Sequence, residues 1–289
     1  MALIHPLAFH NGDLLPSHAV QFSPFQTGLL TGWGLFSTLR IYQDVPFALS
    51  DHVERLAGDA ARLHVDIAEW LPRIETAFSR LIAANAAHEA MARIYFIRNR
   101  GGLLDMPGQR ATDLVIFTAA LRDWGASAKL RLQPEGRHAR APLAATKTLT
   151  WSHNLVMLEE AAAAGFDDVL LLNERGEVAE CTAANLFIVR GGEVFTPPLS
   201  SGALPGVTRK VILRAAARQG RAVREAPLRP EDVLSADEVF ITSSTREIQP
   251  VSHLDRQALP PAGPVTQRIK ELFRQAVQEQ IQQASPVKV

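Results

Sequence analysis

Two hairpins in direct succession limit what this chain can fold into. DDVLLLN, ERG and EVAE (167–180) spell strand, tight turn and strand, and NLFIV, RGG and EVFTP (185–197) repeat the pattern. Short turns of this kind join antiparallel neighbours, whereas a parallel pair needs a crossover of a dozen residues or more. The segments around them mix strands and helices without a regular strand–helix alternation, so the expected class is α+β.

GLFSTLRIY (34–42), MARIYFIRN (91–99) and TDLVIFTAAL (112–121) carry the aromatic and β-branched content of strands. Ser50 or Asp51 is positioned to cap a helix through HVERLAGDAARLHV, where Val53, Leu56, Ala60 and Leu63 recur at helical spacing. A second helix is expected over 68–86 with Pro72 near its first turn. RDWGASA (122–128) reads as a link, giving an N-terminal domain over 1–122, a linker over 123–128 and a larger C-terminal domain over 129–289. Beyond the link, KLRLQ (129–133) is a strand and Lys147 falls in a second extended piece. Helices are expected over 152–164, 207–219 and about 264–283, a strand over 236–242, and a loose tail at ASPVKV.

Several function classes are disfavoured. Lys+Arg and Asp+Glu balance at 30 each, which gives no electrostatic footprint for nucleic acid. Cys181 is the single cysteine, so neither an internal disulfide nor a cysteine-built zinc site is available. The nine histidines are scattered and none pairs at i, i+4, so no metal site is assigned. The N-terminus lacks a basic start and a long apolar run, and no window approaches the roughly 18 apolar residues of a membrane span. The expectation is a soluble, cytoplasmic protein.

The chain holds 25 arginines but only 5 lysines, and one of those, Lys147, lies among threonines just ahead of an apolar helix. An amine that can lose its proton can attack a carbonyl, which a guanidinium cannot do. Glu180 closes a hairpin strand and is followed by small residues. GALPGVTRKVI (202–212) feeds a Gly/Pro turn into a helix, whose free N–H groups and Thr208 hydroxyl would make a phosphate cradle. ITSSTRE (241–247) runs a strand into three hydroxyl residues. Amine, carboxylate and phosphate donors are what a pyridoxal phosphate enzyme requires. Each also has a bland reading, as a surface lysine, a solvent-facing hairpin glutamate, an ordinary turn and a capping loop, and spacing alone does not choose.

Read together, K-T-L, N-L-V-M-L-E-E-A, G-E-V-A-E-C-T-A-A-N-L-F and G-A-L-P-G-V-T-R resemble the class IV pyridoxal phosphate aminotransferases. That family spans branched-chain and D-amino-acid aminotransferases, (R)-selective amine transaminases and 4-amino-4-deoxychorismate lyases. The resemblance runs from about residue 28 to 253 and implies the two-domain D-amino-acid aminotransferase-like fold, with the cofactor between the domains, in a homodimer. It implies that Lys147 forms the internal aldimine with pyridoxal 5'-phosphate and that Glu180 faces the pyridine nitrogen. Arg55, the Val207 and Thr208 backbone and Ser244 would hold the phosphate, and Leu204 would pack on the ring.

For substrate, the resemblance makes Arg98, in Y-F-I-R, a candidate for the carboxylate, with Thr245 nearby in the S-S-T run. Ser37 stands where branched-chain and D-amino-acid enzymes usually carry a glutamate, and F-S-T-x-R is similar to the lyase wording. Ser152 stands where branched-chain enzymes tend to have a tyrosine, and the loop GGLLDMPGQR (101–110) lacks the Arg and His pair of D-amino-acid enzymes. The expected function is transfer of an amino group between a small-molecule amino acid or amine and a 2-oxo acid acceptor. The alternatives are the lyase, which eliminates pyruvate with the same lysine and cofactor, and a non-catalytic binding protein that kept the fold.

Overall fold

The computed structural model describes residues 3–101, 108–221 and 223–284. The chain forms two compact units: Met1–Arg122 with Thr146–Trp151 and Glu279–Val289, and Asp123–Ala145 with Ser152–Gln278. Most of the 101–110 loop and the tail beyond 284 lie outside the described residues.

The first unit contains β1 (Ile4–His10), β2 (Asp13–Pro16), α1 (Thr27–Thr31), β3 (Gly34–Tyr42), β4 (Val45–Pro46), α2 (Leu49–Leu63), α3 (Ile74–Asn85), β5 (Glu89–Arg98) and β6 (Thr112–Ala119). These strands form one sheet in the order β2-β1-β6-β5-β3-β4, every neighbour antiparallel. Successive side chains alternate between sheet faces. Leu35, Leu39, Ile41, Ala92, Ile94 and Phe96 therefore share one face, and they share a core with Leu56, Ala60 and Leu63 of α2 and with Phe78 and Leu81 of α3. The other face carries Phe36, Thr38, Arg93 and Tyr95.

Two helix starts differ from the sequence expectation. The N-cap of α2 is Ala48, in the left-handed conformation, rather than Ser50 or Asp51. The Ala48 N–H is satisfied by Gln280 Oε1 at 2.9 Å, so the turn after β4 starts the helix early and Asp51 falls inside its first turn. The helix expected over 68–86 becomes a 3-10 turn at Leu71–Arg73 followed by α3, because Pro72 lacks an N–H and restricts the residue before it.

The segment Thr146–Trp151 packs with the first unit, not with the chain that flanks it. β4 is only two residues long and covers just the end of β3, so the opening residues of β3 have an open edge. That edge is closed by the Phe36 N–H donating to the Lys147 carbonyl at 3.1 Å and the Leu149 N–H donating to the Gly34 carbonyl at 2.9 Å.

The second unit contains β7 (Ala128–Gln133), α4 (Ser152–Ala163), β8 (Asp168–Leu172), β9 (Val178–Cys181), β10 (Asn185–Arg190), β11 (Glu193–Thr196), α5 (Val207–Arg218), β12 (Val223–Glu225), α6 (Pro230–Leu234), β13 (Glu238–Ser243), β14 (Glu247–Leu254), β15 (Gln257–Ala258) and α7 (Pro264–Gln283), whose last residues, from Glu279 on, belong to the first unit. Its sheet runs β12-β11-β10-β13-β14-β7-β8-β9, with β15 on β14. β8/β9 and β10/β11 are the two hairpins read from the sequence. Parallel pairs join β7 to β8, β7 to β14 and β11 to β12, so the sheet is mixed.

At the base of the β13–β14 turn, Arg246 is buried over the Trp124 ring, 4.0 Å from its centroid. It donates to Asp168 Oδ2 at 2.8 Å and to Gln249 Oε1 at 3.0 Å. The Thr182 hydroxyl donates to the other oxygen of Asp168. No helix among the described residues is long and apolar enough to cross a membrane.

Candidate active site

Lys147 is carried on the edge segment beside β3, and its Nζ lies over the Phe36 ring, 4.6 Å from the centroid. The Lys147 N–H donates to Asp59 Oδ2 at 3.3 Å, which ties this segment to α2. Arg55 and His52 lie one turn and two turns before Asp59 on the same helix. Ser37, fully buried on β3, joins them: its Oγ accepts from Arg55 Nη2 at 2.7 Å and lies 2.7 Å from His52 Nδ1. Ser37 accepts from Arg55, so its own proton can go to the His52 nitrogen, which requires a neutral imidazole.

The electrostatics agree with that direction. Burial holds His52 well below the ordinary histidine value, and the Arg55 and Lys147 charges push the same way. Burial raises Asp59 above the ordinary aspartate value, opposed by the cations around it, Arg55 foremost. The first unit thus brings Lys147 and Arg55 together around Asp59 and His52.

Arg98 is placed differently. It follows Ile97 at the end of β5, on the strand face of Phe96, away from the face of Phe36 and Tyr95. Its guanidinium stacks on the Trp33 ring at 4.0 Å, and Nε donates to the Arg100 carbonyl at 2.6 Å.

In the second unit, Glu180 lies on β9 opposite Leu171 and is buried, with donors to both oxygens. Oε1 accepts from Arg137 Nε at 3.2 Å and Nη2 at 3.0 Å. Oε2 accepts from the Leu204 N–H at 2.9 Å and, more weakly, from Asn185 Nδ2 at 3.4 Å. Asn185 also donates to the Leu204 carbonyl at 3.0 Å, so the two residues lock the 203–206 turn against β9 and β10. A Cβ on Gly206 would collide with Asn185 Oδ1, which explains the glycine at that step.

Gly206 is also the N-cap of α5 and supplies no side-chain cap. The N–H groups of Val207 and Thr208 have no acceptor among the described residues, the condition that suits a helix start to an anion. Ser244 and Thr245 occupy the β13–β14 turn, half-buried, and their hydroxyls have no hydrogen-bond partner among the described residues.

Sequence reading did not single out Arg137, Asp59 or Asn185, which the structure brings beside Glu180 and Lys147. Arg137 had no local signal among so many arginines, and it reaches Glu180 across 43 positions. Asn185 stands inside the quoted N-L-F run, so its motif pointed to it.

The chain matches the family model described as Amino-transferase class IV over residues 34–254. It is 29% identical over 281 residues to the branched-chain-amino-acid aminotransferase of Escherichia coli strain K12, covering 91% of this chain and 90% of that one. Its fold superposes on the crystal structure of an Escherichia coli branched-chain amino acid aminotransferase with a TM-score of 0.87, at 26% identity and 94% coverage of both chains. A TM-score of 0.85, at 26% identity and covering 96% and 95% of the two chains, relates it to the T.th. branched-chain amino acid aminotransferase complexed with N-(5'-phosphopyridoxyl)-L-glutamate. With a matching family model over most of its length, the chain belongs to the class IV aminotransferases.

Proposed function

We propose that this chain is a pyridoxal 5'-phosphate-dependent aminotransferase that moves an amino group between an amino acid or amine and a 2-oxo acid. The observation that carries the reading is the setting of Lys147, a primary amine over the Phe36 ring with Asp59 and Arg55 beside its segment. The residues present fit the cofactor: a lysine amine, a buried carboxylate with fixed donors, and an uncapped helix start. When bound, pyridoxal phosphate supplies an electron sink for negative charge at the substrate's α-carbon.

The chain's own residues divide the remaining work. Lys147 Nζ holds the cofactor and then moves the proton at the α-carbon. Glu180, kept in place by Arg137, Asn185 and the Leu204 N–H, presents its charge to the ring nitrogen. Arg55, the Val207 and Thr208 N–H groups and the Ser244 hydroxyl hold the phosphate, and Leu204 packs on the ring. The chain acts as a homodimer: Leu155 and Val156 on α4 are 50% and 54% exposed, apolar area that a second copy would cover.

Lys147→Ala should abolish turnover and the visible absorption band of the purified protein while leaving its circular dichroism unchanged. A variant that keeps its band and its rate would refute the assignment. Mixing the coloured protein with L-amino acids, D-amino acids and chiral amines identifies the donor as the one that bleaches the band. The lyase is the second reading, favoured by Ser37, which brings no carboxylate to Arg55. Release of pyruvate from an aminodeoxychorismate without a keto-acid acceptor would select it.

A further inference from the structure

Both backbone groups of Lys147 are held, each by a different element. Its carbonyl accepts from the Phe36 N–H of β3 at 3.1 Å, and its N–H donates to Asp59 Oδ2 of α2 at 3.3 Å. The same helix also grips the preceding residue, where Arg62 Nη1 donates to Thr146 Oγ1 at 3.3 Å. The lysine side chain therefore starts from a peptide fixed by a strand and a helix, and ends with Nζ over the Phe36 ring.

A neutral acceptor would suffice for that N–H, yet the helix places a carboxylate there, 3% exposed. A carboxylate is costly to bury unless cations answer it. Arg55, four residues before Asp59, and Arg62, three residues after it, lie on its own helix, and Lys147 faces it from the edge segment. Ser37 and His52 bring no negative charge to this group, the first being a hydroxyl and the second kept neutral by burial.

Without Asp59, the Lys147 amine would have two guanidinium charges nearby and no anion from α2. Like charges drive a proton off an amine, and an opposite charge keeps it on. A group that moves a proton at the α-carbon has to return it as readily as it takes it, so its proton affinity must suit the working pH.

We propose that Asp59 is a positioning residue for Lys147: one oxygen fixes the lysine's peptide, and the charge holds the proton on Nζ against Arg55 and Arg62. Calling Nζ the reacting atom rests on the aminotransferase reading, whereas the arrangement around Asp59 does not.

The measurement is the proton affinity of Lys147 in the cofactor-free protein, read by competitive acetylation across pH with mass spectrometry of the Lys147 peptide. Asp59→Asn keeps an acceptor for the Lys147 N–H and removes the charge, so it should lower the labelling midpoint by about one pH unit. Asp59→Glu should restore most of that shift. Asp59→Ala should show the shift and also faster hydrogen exchange at the Lys147 amide. Asp59→Ser, which offers an acceptor too, repeats the comparison if the Asn variant does not fold. In the loaded protein, the pH at which the visible band changes should move down with the charge as well. A midpoint that stays at the wild-type value or rises in the uncharged variants would overturn the proposal, as would unchanged exchange in Asp59→Ala. A wild type without any visible band would sink the cofactor reading instead, while the acetylation midpoints would still judge Asp59.

Discussion

Arg246 in the second unit and Arg93 in the first both rest on an aromatic ring, and they differ in what answers their charge. Arg246 lies on Trp124 with Asp168 at 2.8 Å, Gln249 at 3.0 Å and almost no exposure, so its counter-charge is part of the fold. Arg93 lies by Phe36 and, among the described residues, has only the oxygens of Thr38 and Tyr95 as acceptors. A guanidinium with a buried carboxylate is a structural element, because removing either group strands the other in a poor solvent. A guanidinium hydrogen-bonded only to neutral hydroxyls can leave with little harm to the fold, and its charge is available to a ligand.

The largest effect should come from breaking the compensated pair. Arg246→Ala leaves the Asp168 charge buried without its counter-cation and should cost about 3–5 kcal/mol, read as denaturant midpoint at constant slope. Asp168→Leu with Arg246→Met should recover most of that loss, because no charge is then left unpaired. A single Arg246→Ala as stable as wild type would erase the contrast between the two arginines.

Glu180→Gln probes an intermediate case, a carboxylate that is both paired and assigned to chemistry. It should keep the cofactor while lowering the turnover number about a hundredfold or more, an effect typical of a group that controls a proton. Unchanged turnover would mean that Glu180 serves only Arg137. Arg93→Met should change stability by no more than about 0.5 kcal/mol, as expected for a position outside the core. A loss as large as that of Arg246→Ala would make Arg93 structural and sharpen the distinction in the other direction.

The smallest effect concerns His52. Its folded-state value is depressed, so the stability it contributes is present above the ordinary histidine value of about 6.5 and lost as pH falls below it. Melting temperatures between about pH 7 and 5 should fall more steeply for wild type than for His52→Gln, by at most about 1.4 kcal/mol per pH unit. Parallel curves would show that His52 charges without penalty.

Legibility in the sequence followed the range of the interaction. β3 and α7 have the bounds that periodicity and turn residues suggest, and the two hairpins are set by local glycine turns. The early start of α2 was hidden because its first N–H is answered by Gln280, more than 200 positions away. Lys147 was legible as chemistry, yet its place on the open edge of β3 depends on how short β4 is.

The excursion of Thr146–Trp151 into the first unit has a consequence for synthesis. A ribosome that has released the first 122 residues has not yet supplied the strand that seals β3, nor the Gln280 amide that completes the start of α2. The amino-terminal half must therefore wait, incompletely hydrogen-bonded, until residue 280 has emerged. Maturation of the lysine-bearing half is coupled to synthesis of α7, and a product terminated before Thr146 is left with an unsatisfied sheet edge for quality control to recognise.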